Sequence, residues 1–135
     1  MTAFKTEDDL YRYVGGIFEA AFADPDLGPR LTSTGLVLGV RCTEPDCALV
    51  IDTVNNKVYG YAADAPLDAE MAMTAETANR YWQGKVSLPV ALARGQIKIE
   101  GSLGLLLKLA PLSSRLFPLY LERLRADGRE DLIVS

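Results

Sequence analysis

A leucine-rich segment in the C-terminal third constrains the fold more than any other feature of this sequence. Residues 103–124 contain ten leucines, and those at 105, 106 and 107 are consecutive. A helix that covers a sheet from one side needs only an apolar stripe about 100° wide, so this segment is too apolar around its circumference for that role alone. Pro111 and Pro118 are expected to break it into shorter helices, because proline removes a backbone hydrogen bond and clashes with the preceding turn.

Several explanations account for so wide an apolar surface. A transmembrane helix needs about 20 predominantly apolar residues, and Lys108, Pro111 and Arg115 interrupt the segment, which argues against a membrane span. A pair of core helices, a dimer face, and a helix that packs on one side and lines a cavity on the other remain open, because periodicity alone does not separate them.

Helical and extended patterns occupy separate stretches in the rest of the chain, which predicts an α+β fold. Apolar residues at helical spacing behind an acidic first turn predict a helix over residues 7–23, capped by Thr6. Alternating and β-branched runs between residues 35 and 73 predict four strands in an antiparallel meander.

The pattern then returns to helix and back to strand. Thr74 and Ser87 are predicted to cap two further helices, which end at Gly84 and Gly95. Strict alternation over residues 96–100 predicts one more half-buried strand before the leucine-rich segment.

Composition excludes several classes of function. The chain has 135 residues, which fits one domain over residues 1–135, and its formal net charge of −4 argues against a nucleic-acid partner. It contains no histidine, which removes the commonest general base and the commonest zinc ligand. We therefore predict no catalytic residue, no metal site and no cofactor, and we expect a protein that is not an enzyme.

Cysteine usage and the termini predict a location. Cys42 and Cys47 flank a four-residue turn, so they are expected to face each other across a hairpin as free thiols. The first ten residues are polar and acidic rather than a signal peptide, and the last residues carry no peroxisomal or endoplasmic-reticulum address. We therefore expect a cytoplasmic protein.

Two adjacent segments carry a family resemblance. A polar-capped helix from Thr74 ends in the pair Gly84 and Lys85, and a small-residue helix then leads into residues 95–101, which have the pattern G-x-I-x-I-x-G. This order of elements resembles the sterol carrier protein 2 family over nearly the whole chain, most strongly in residues 73–109. The absence of the C-terminal peroxisomal tripeptide of eukaryotic members favours a free-standing domain of the bacterial type.

The resemblance implies a fold and a ligand class. The expected fold is a five-stranded, mainly antiparallel sheet covered on one face by helices, with an apolar tunnel between them. The family is largely non-catalytic, and its ligands include fatty acids, acyl-CoA, sterols and other lipids such as polyprenyl compounds.

Apolar residues of the predicted helices and strands supply candidates for the tunnel wall. Ligand cavities are lined mainly by apolar groups, and flexible methionines suit an adaptable wall. The candidate ligand-binding residues are Phe18, Phe22, Met71, Met73, Trp82, Leu92, Ile97, Ile99, Leu103, Leu106, Leu107, Leu109, Leu112, Leu116, Phe117 and Leu121.

Two functions follow as hypotheses. The first is non-catalytic binding and transfer of a hydrophobic ligand. The second is an accessory interaction subunit of a lipid- or quinone-metabolising enzyme, docking through the leucine-rich region. The chain is expected to be a monomer or a homodimer under either hypothesis.

The second half of the chain also suggests a membrane partner. Residues 75–135 hold nine basic and six acidic residues, a net charge of +3, and Lys108, Arg115, Arg123 and Arg125 lie in or just after the leucine-rich run. Basic residues among apolar ones favour weak contact with an anionic surface. We therefore predict transient contact with an anionic membrane.

Overall fold

The computed structural model describes residues 7–44, 46–61 and 67–133, in which strands and helices follow one another as an α+β fold. In chain order the elements are α1 (Glu7–Leu10), a π-helical turn (Tyr11–Gly15), α2 (Gly16–Ala23), α3 (Leu27–Thr34), β1 (Val37–Thr43), β2 (Cys47–Asp52), β3 (Lys57–Gly60), β4 (Ala69–Thr74), α4 (Ala75–Tyr81), α5 (Leu88–Ala93), β5 (Ile97–Gly101), α6 (Leu103–Ala126) and a 3₁₀ turn (Glu130–Leu132).

The strands form one sheet in the order β3-β2-β1-β4-β5. The pairs β1/β2, β2/β3 and β4/β5 are antiparallel, which confirms a mainly antiparallel five-stranded sheet, whereas β4 runs parallel to β1. The predicted four-strand meander is therefore wrong at its last strand, because β4 crosses over to β1 instead of pairing with β3. Beside β1, β4 is an interior strand, so the backbone groups on both of its edges find hydrogen-bond partners.

The two faces of the sheet are set by its register. Leu38, Val40 and Met71 point toward the helices and are essentially inaccessible to solvent. On the opposite face, a Cβ atom added at Gly39 would lie 2.7 Å from a methyl carbon of Leu67. A side chain at this position would therefore have to displace the Leu67 side chain from the outer face of the sheet.

The first helix runs over residues 7–23 as predicted, with a π-helical turn in its middle. Its predicted cap, Thr6, lies outside the described residues. The helix α3 was not predicted, because Gly28 and Pro29 disfavour helix in isolation. Proline is tolerated in a first turn, and Gly28 is required because a Cβ atom there would lie 2.5 Å from the carbonyl oxygen of Phe22.

The leucine-rich segment forms one 24-residue helix, α6, that continues through both prolines. The prediction that Pro111 and Pro118 break it is wrong. Each proline frees the carbonyl group four residues earlier, on Leu107 and Ser114, and all four residues are exposed. Water can therefore hydrate the freed carbonyls, while the opposite side of α6 packs on the core.

The predicted helix caps are confirmed in part. The Thr74 hydroxyl accepts a hydrogen bond of 3.1 Å from the Thr77 amide at the start of α4, whereas the Ser87 side chain makes no capping hydrogen bond to α5. The start of α6 is capped by Ser102, whose hydroxyl accepts from the Leu105 amide at 3.2 Å.

Candidate functional site

The centre of the predicted wall is the inner face of β4 and β5. In the strand register Met71 lies opposite Ile99 and Met73 opposite Ile97. Met71, Met73 and Ile97 are buried, and Ile99 is half-buried against the core. Alternation places these four side chains on one face, which is the face that the helices cover.

Helix side chains close this face from the other side. Phe18 of α2, Trp82 just after α4, and Leu106, Leu109 and Leu116 of α6 are all buried in the same apolar cluster as the strand residues. The structure thus brings together predicted wall residues that lie up to 98 positions apart in the chain, from Phe18 to Leu116.

Aromatic rings form a connected group within this layer. The ring centroids of Phe22 and Phe18 are 6.4 Å apart, and those of Phe18 and Trp82 are 5.4 Å apart, edge to face. Tyr81 joins the group through Trp82 at 5.0 Å and Phe117 at 6.3 Å. Tyr81, which directly precedes Trp82 in the chain, was not among the predicted wall residues.

The indole Nε1 of Trp82 is a buried hydrogen-bond donor. Only 1% of the residue is exposed, and its indole Nε1 has no hydrogen-bond partner among the described residues. Buried indole N–H groups usually find a partner. This donor can therefore receive an oxygen atom of a molecule that enters the core.

Some predicted wall residues lie elsewhere. Leu92, Leu103 and Leu107 are on the surface, with 36%, 47% and 54% of their areas exposed, so they do not line the space between sheet and helices here. Leu103 and Leu107 are one helical turn apart on α6 and therefore share a face. The remaining half-buried candidates are Phe22, Leu112, Phe117 and Leu121.

A surface pocket lies at one end of the aromatic group. It has a volume of about 540 Å³ and is bounded by α2 and α3, with Phe22, Pro25 and Pro29 among its lining residues. This volume is in the range of about 300–1,000 Å³ that is usual for small-molecule sites. Phe22 therefore connects a solvent-open pocket to the buried rings of Phe18 and Trp82.

Behind α4 lies a polar network that sequence analysis did not find. Asn79 Nδ2 donates to the carbonyl oxygen of Leu132 at 2.8 Å, and Asn79 Oδ1 accepts from Tyr120 Oη at 2.7 Å and Gln83 Nε2 at 3.1 Å. Burial raises the pKa of Tyr120 well above its usual value. The spacing of four residues between Asn79 and Gln83 was the available signal, since it puts both amides on one helix face.

The two cysteines meet as expected. Cys42 lies opposite Cys47 in the β1/β2 register, and both are buried free thiols. The hydrogen bond from the Cys47 thiol, together with burial, raises the pKa of Cys42.

Neither a metal-binding cluster nor a membrane-spanning helix is found in the described part of the chain. Across the described ranges, no cluster of three or more His, Cys, Asp or Glu side chains has an arrangement that could hold a metal ion. None of the helices within those ranges combines the length and apolar character needed to cross a bilayer.

Comparison with known proteins gives one family and several related structures. The model of the SCP-2 sterol transfer family matches residues 17–114. The sterol carrier protein domain 2 of Helicoverpa armigera is similar with a TM-score of 0.68 at 23% identity, over 81% of this chain and 88% of that one. No curated protein matches the sequence.

Two other solved structures share the fold at lower identity. Sterol carrier protein 2 of Aedes aegypti in complex with palmitate has a TM-score of 0.56 at 17% identity, over 82% of this chain and 96% of that one. A protein described as the UbiJ-SCP2 ubiquinone synthesis protein has a TM-score of 0.60 at 12% identity, over 76% and 91% of the two chains.

Proposed function

Since this chain belongs to the SCP-2 sterol transfer family, we propose that it binds a long apolar lipid between its sheet and its helices and carries that lipid without changing it chemically. The observation that carries the proposal is an inward path of contacting aromatic rings, from Phe22 at the α2/α3 pocket through Phe18 to Trp82. A lipid that displaces side chains along this path would pass from solvent into an apolar environment.

The wall beside this path suits a flexible chain. Met71 and Met73 lie on the inner face of β4, and unbranched thioether side chains adapt to ligands of different shape. Ala69 and Gly101 lie opposite each other in the β4/β5 register, so one end of the same face carries almost no side-chain volume. Small and flexible residues together allow a long chain to be accommodated by modest side-chain rearrangement.

A long-chain fatty acid is the ligand that we propose first. Burial of about ten methylenes at roughly 0.8 kcal/mol each contributes near 8 kcal/mol, which corresponds to a micromolar Kd only where further contacts of the ligand offset the cost of association. The Aedes aegypti relative was solved with palmitate, which supports the same class. Acyl-CoA, sterols and polyprenyl-type lipids are the other members of the proposed range.

Titration with a fluorescent fatty acid tests the proposal. Binding should saturate and should change the emission of Trp82, the single tryptophan of the chain, because that side chain lies at the end of the path. No saturation with any fatty acid, sterol or polyprenol at about tens of micromolar would contradict the proposal.

The route is tested separately by association kinetics. Phe22→Asp places a charge at the inner edge of the α2/α3 pocket and should slow association. Val54→Asp is the matched control, because Val54 is 54% exposed in the turn before β3. Equal association rates for the two variants would exclude the α2/α3 pocket as the entry route, without affecting the proposal that a lipid is bound.

Exposed leucines favour a second candidate function. Leu103 and Leu107 present an apolar surface on one side of α6, which supports docking onto an enzyme of lipid or quinone metabolism or onto a second copy of the chain. Native mass spectrometry separates the two functions: a co-purified lipid on a monomer supports the carrier, and an empty dimer that Leu107→Glu dissociates supports the interaction subunit.

The membrane contact is proposed with a revised set of residues. Arg115 forms an ion pair with Asp26 at 2.7 Å, and the Arg123 guanidinium packs against Gly16, so these two predicted cations are already engaged. Lys108 and Arg125 are exposed. We place the transient contact at the start of α6, where Lys108 follows the exposed Leu107.

A further inference from the structure

A second concave surface, the α4–α5 pocket, lies between the end of α4 and the start of β5. It has a volume of about 190 Å³, smaller than the roughly 300 Å³ at which sites for whole drug-sized molecules begin. Its polar lining residues are Thr77, Arg80, Lys85, Ser87, Arg94 and Gln96. Three cations and three neutral hydrogen-bonding side chains therefore surround a small volume, and no carboxylate is among the described residues that line it.

The three cations differ from most other arginines of the protein. Arg12, Arg30, Arg41, Arg115 and Arg129 each form an ion pair with a carboxylate. Within the described ranges, the lining cations of the α4–α5 pocket take part in no ion pair. All three side chains are exposed, so solvent and salt screen much of the repulsion between these like charges, and a bound anion would offset the remainder.

Two backbone turns fix the positions from which these side chains extend. After α4, the Gly84 amide donates to the Tyr81 carbonyl at 2.9 Å and the Lys85 amide to the Arg80 carbonyl at 3.0 Å. This pair of bonds is a Schellman motif, which stops the helix at a left-handed glycine, and Gly84 has φ of +76°. A Cβ atom at Gly84 would meet the Phe117 ring at 2.9 Å, so this turn is anchored to α6.

The end of α5 has the same construction. The Gly95 amide donates to the Leu92 carbonyl at 3.2 Å and the Gln96 amide to the Ala91 carbonyl at 2.9 Å, with φ of +72° at Gly95. Two helices therefore end with a glycine turn at this pocket, and Lys85 and Gln96 occupy the same position in the two turns. The frame of the pocket is formed before any ligand arrives.

We propose that the α4–α5 pocket binds a phosphate or diphosphate group. Arginine side chains recognise phosphate oxygens with paired hydrogen bonds, and lysine adds a point charge. The hydroxyl groups of Thr77 and Ser87 and the amide of Gln96 can donate to the remaining oxygens. The pocket borders the apolar core, since its lining residue Ala91 is fully buried, so the group can belong either to a lipid headgroup or to a soluble phosphate compound.

Nuclear magnetic resonance of the full chain tests this site with pyrophosphate. We expect saturable shifts at the backbone amides of Lys85, Ser87 and Gln96, measured against sodium chloride at equal ionic strength. Arg80→Gln and Arg94→Gln should each weaken pyrophosphate binding about tenfold or more, because a charged hydrogen bond is lost. Arg125→Gln, which removes the same charge from an exposed position on α6, should leave binding unchanged.

Three ligands distinguish the source of the phosphate. Dodecyl phosphate that binds more tightly than both pyrophosphate and dodecanol indicates a lipid headgroup, and pyrophosphate that binds as tightly as dodecyl phosphate indicates a soluble compound. Either result supports the site. Shifts spread equally over all basic surfaces, or equal losses in Arg94→Gln and Arg125→Gln, would overturn it. Fatty-acid binding that survives in Arg94→Gln keeps the lipid-carrier proposal independent of this outcome.

Discussion

The buried network behind α4 gives a prediction whose size follows from its contacts. Asn79→Leu keeps nearly the same volume but removes the hydrogen bonds of Asn79 to Tyr120, Gln83 and Leu132. The Leu132 carbonyl keeps its bond of 2.9 Å from Gln83 Nε2. The Tyr120 hydroxyl, in contrast, loses its acceptor inside the core.

These losses set the expected magnitude. A net hydrogen bond contributes about 1 kcal/mol, and a buried hydroxyl left without a partner costs about 1–3 kcal/mol. Asn79→Leu should therefore lower the free energy of unfolding by about 2–4 kcal/mol, and Tyr120→Phe alone by about 1 kcal/mol. Replacing both partners of a buried hydrogen bond by apolar groups leaves no unsatisfied group and is often nearly neutral. In the Asn79→Leu background, Tyr120→Phe should therefore leave the free energy of unfolding unchanged or raise it.

A double-mutant cycle by urea denaturation measures this coupling. A chain of 135 residues is in the size range where two-state analysis usually holds. We expect a coupling free energy of about 1–3 kcal/mol between Asn79 and Tyr120. Val54→Ala, at an exposed position far from the network in the sequence, is the control and should add to Tyr120→Phe. Costs for Asn79 and Tyr120 that add within about 0.5 kcal/mol would refute the assignment of the network.

Three further predictions concern charge, thiols and membranes. Arg12 donates to Asp127, with one bond of 2.7 Å, and this hydrogen bonding lowers the pKa of Asp127 to about 2. The Asp127 carboxylate stabilises the folded state at pH values above its unfolded pKa of about 3.9, and this contribution disappears as the pH falls through about 2. Asp127→Asn should therefore lower the urea midpoint at neutral pH but not near pH 2. An unchanged midpoint at neutral pH would contradict a stabilising Arg12–Asp127 ion pair. Cys42 and Cys47 should react slowly with a thiol reagent in the folded protein and quickly in urea, since burial and the hydrogen bond between the two thiols raise the pKa of Cys42. Fast labelling of the folded protein would contradict the buried thiol pair. Leu107→Glu should slow lipid transfer from anionic vesicles at unchanged equilibrium affinity, and equal rates for variant and wild type would place the membrane contact elsewhere.

The extent to which sequence predicted each element follows from how local its cause is. The fifth strand and the cap of α4 were predicted because alternation and a hydroxyl before an acidic turn act within a few residues. The helix α3 is the exception, because it was missed although its cause is local: the Asp24 side chain accepts from the Asp26 and Leu27 amides at 2.8 and 2.9 Å. That contact outweighs the poor helix propensity of Gly28 and Pro29.

The leucine-rich segment shows how little of the packing of α6 could be predicted from sequence. Sequence indicated that its apolar surface was wider than one sheet contact needs, and the structure separates that surface into two parts. Leu106, Leu109 and Leu116 are buried, whereas Leu103 and Leu107 are exposed. Which leucines are buried depends on where α2, α3 and β4 lie against the helix, and no periodicity within the helix contains that information.

By itself the sequence determined the elements with local causes, the absence of histidine chemistry and the family to which the chain belongs. Only the tertiary structure decided that β4 runs beside β1, and that the rings of Phe22, Phe18 and Trp82 pack inward from a surface pocket to an indole N–H with no partner among the described residues. It also decided that two glycine turns place Arg80, Lys85 and Arg94 around one small pocket. The physical reason is that the first group depends on neighbours within one or two turns of chain. The second depends on which distant backbone and side-chain groups the packed sheet and helices bring into contact.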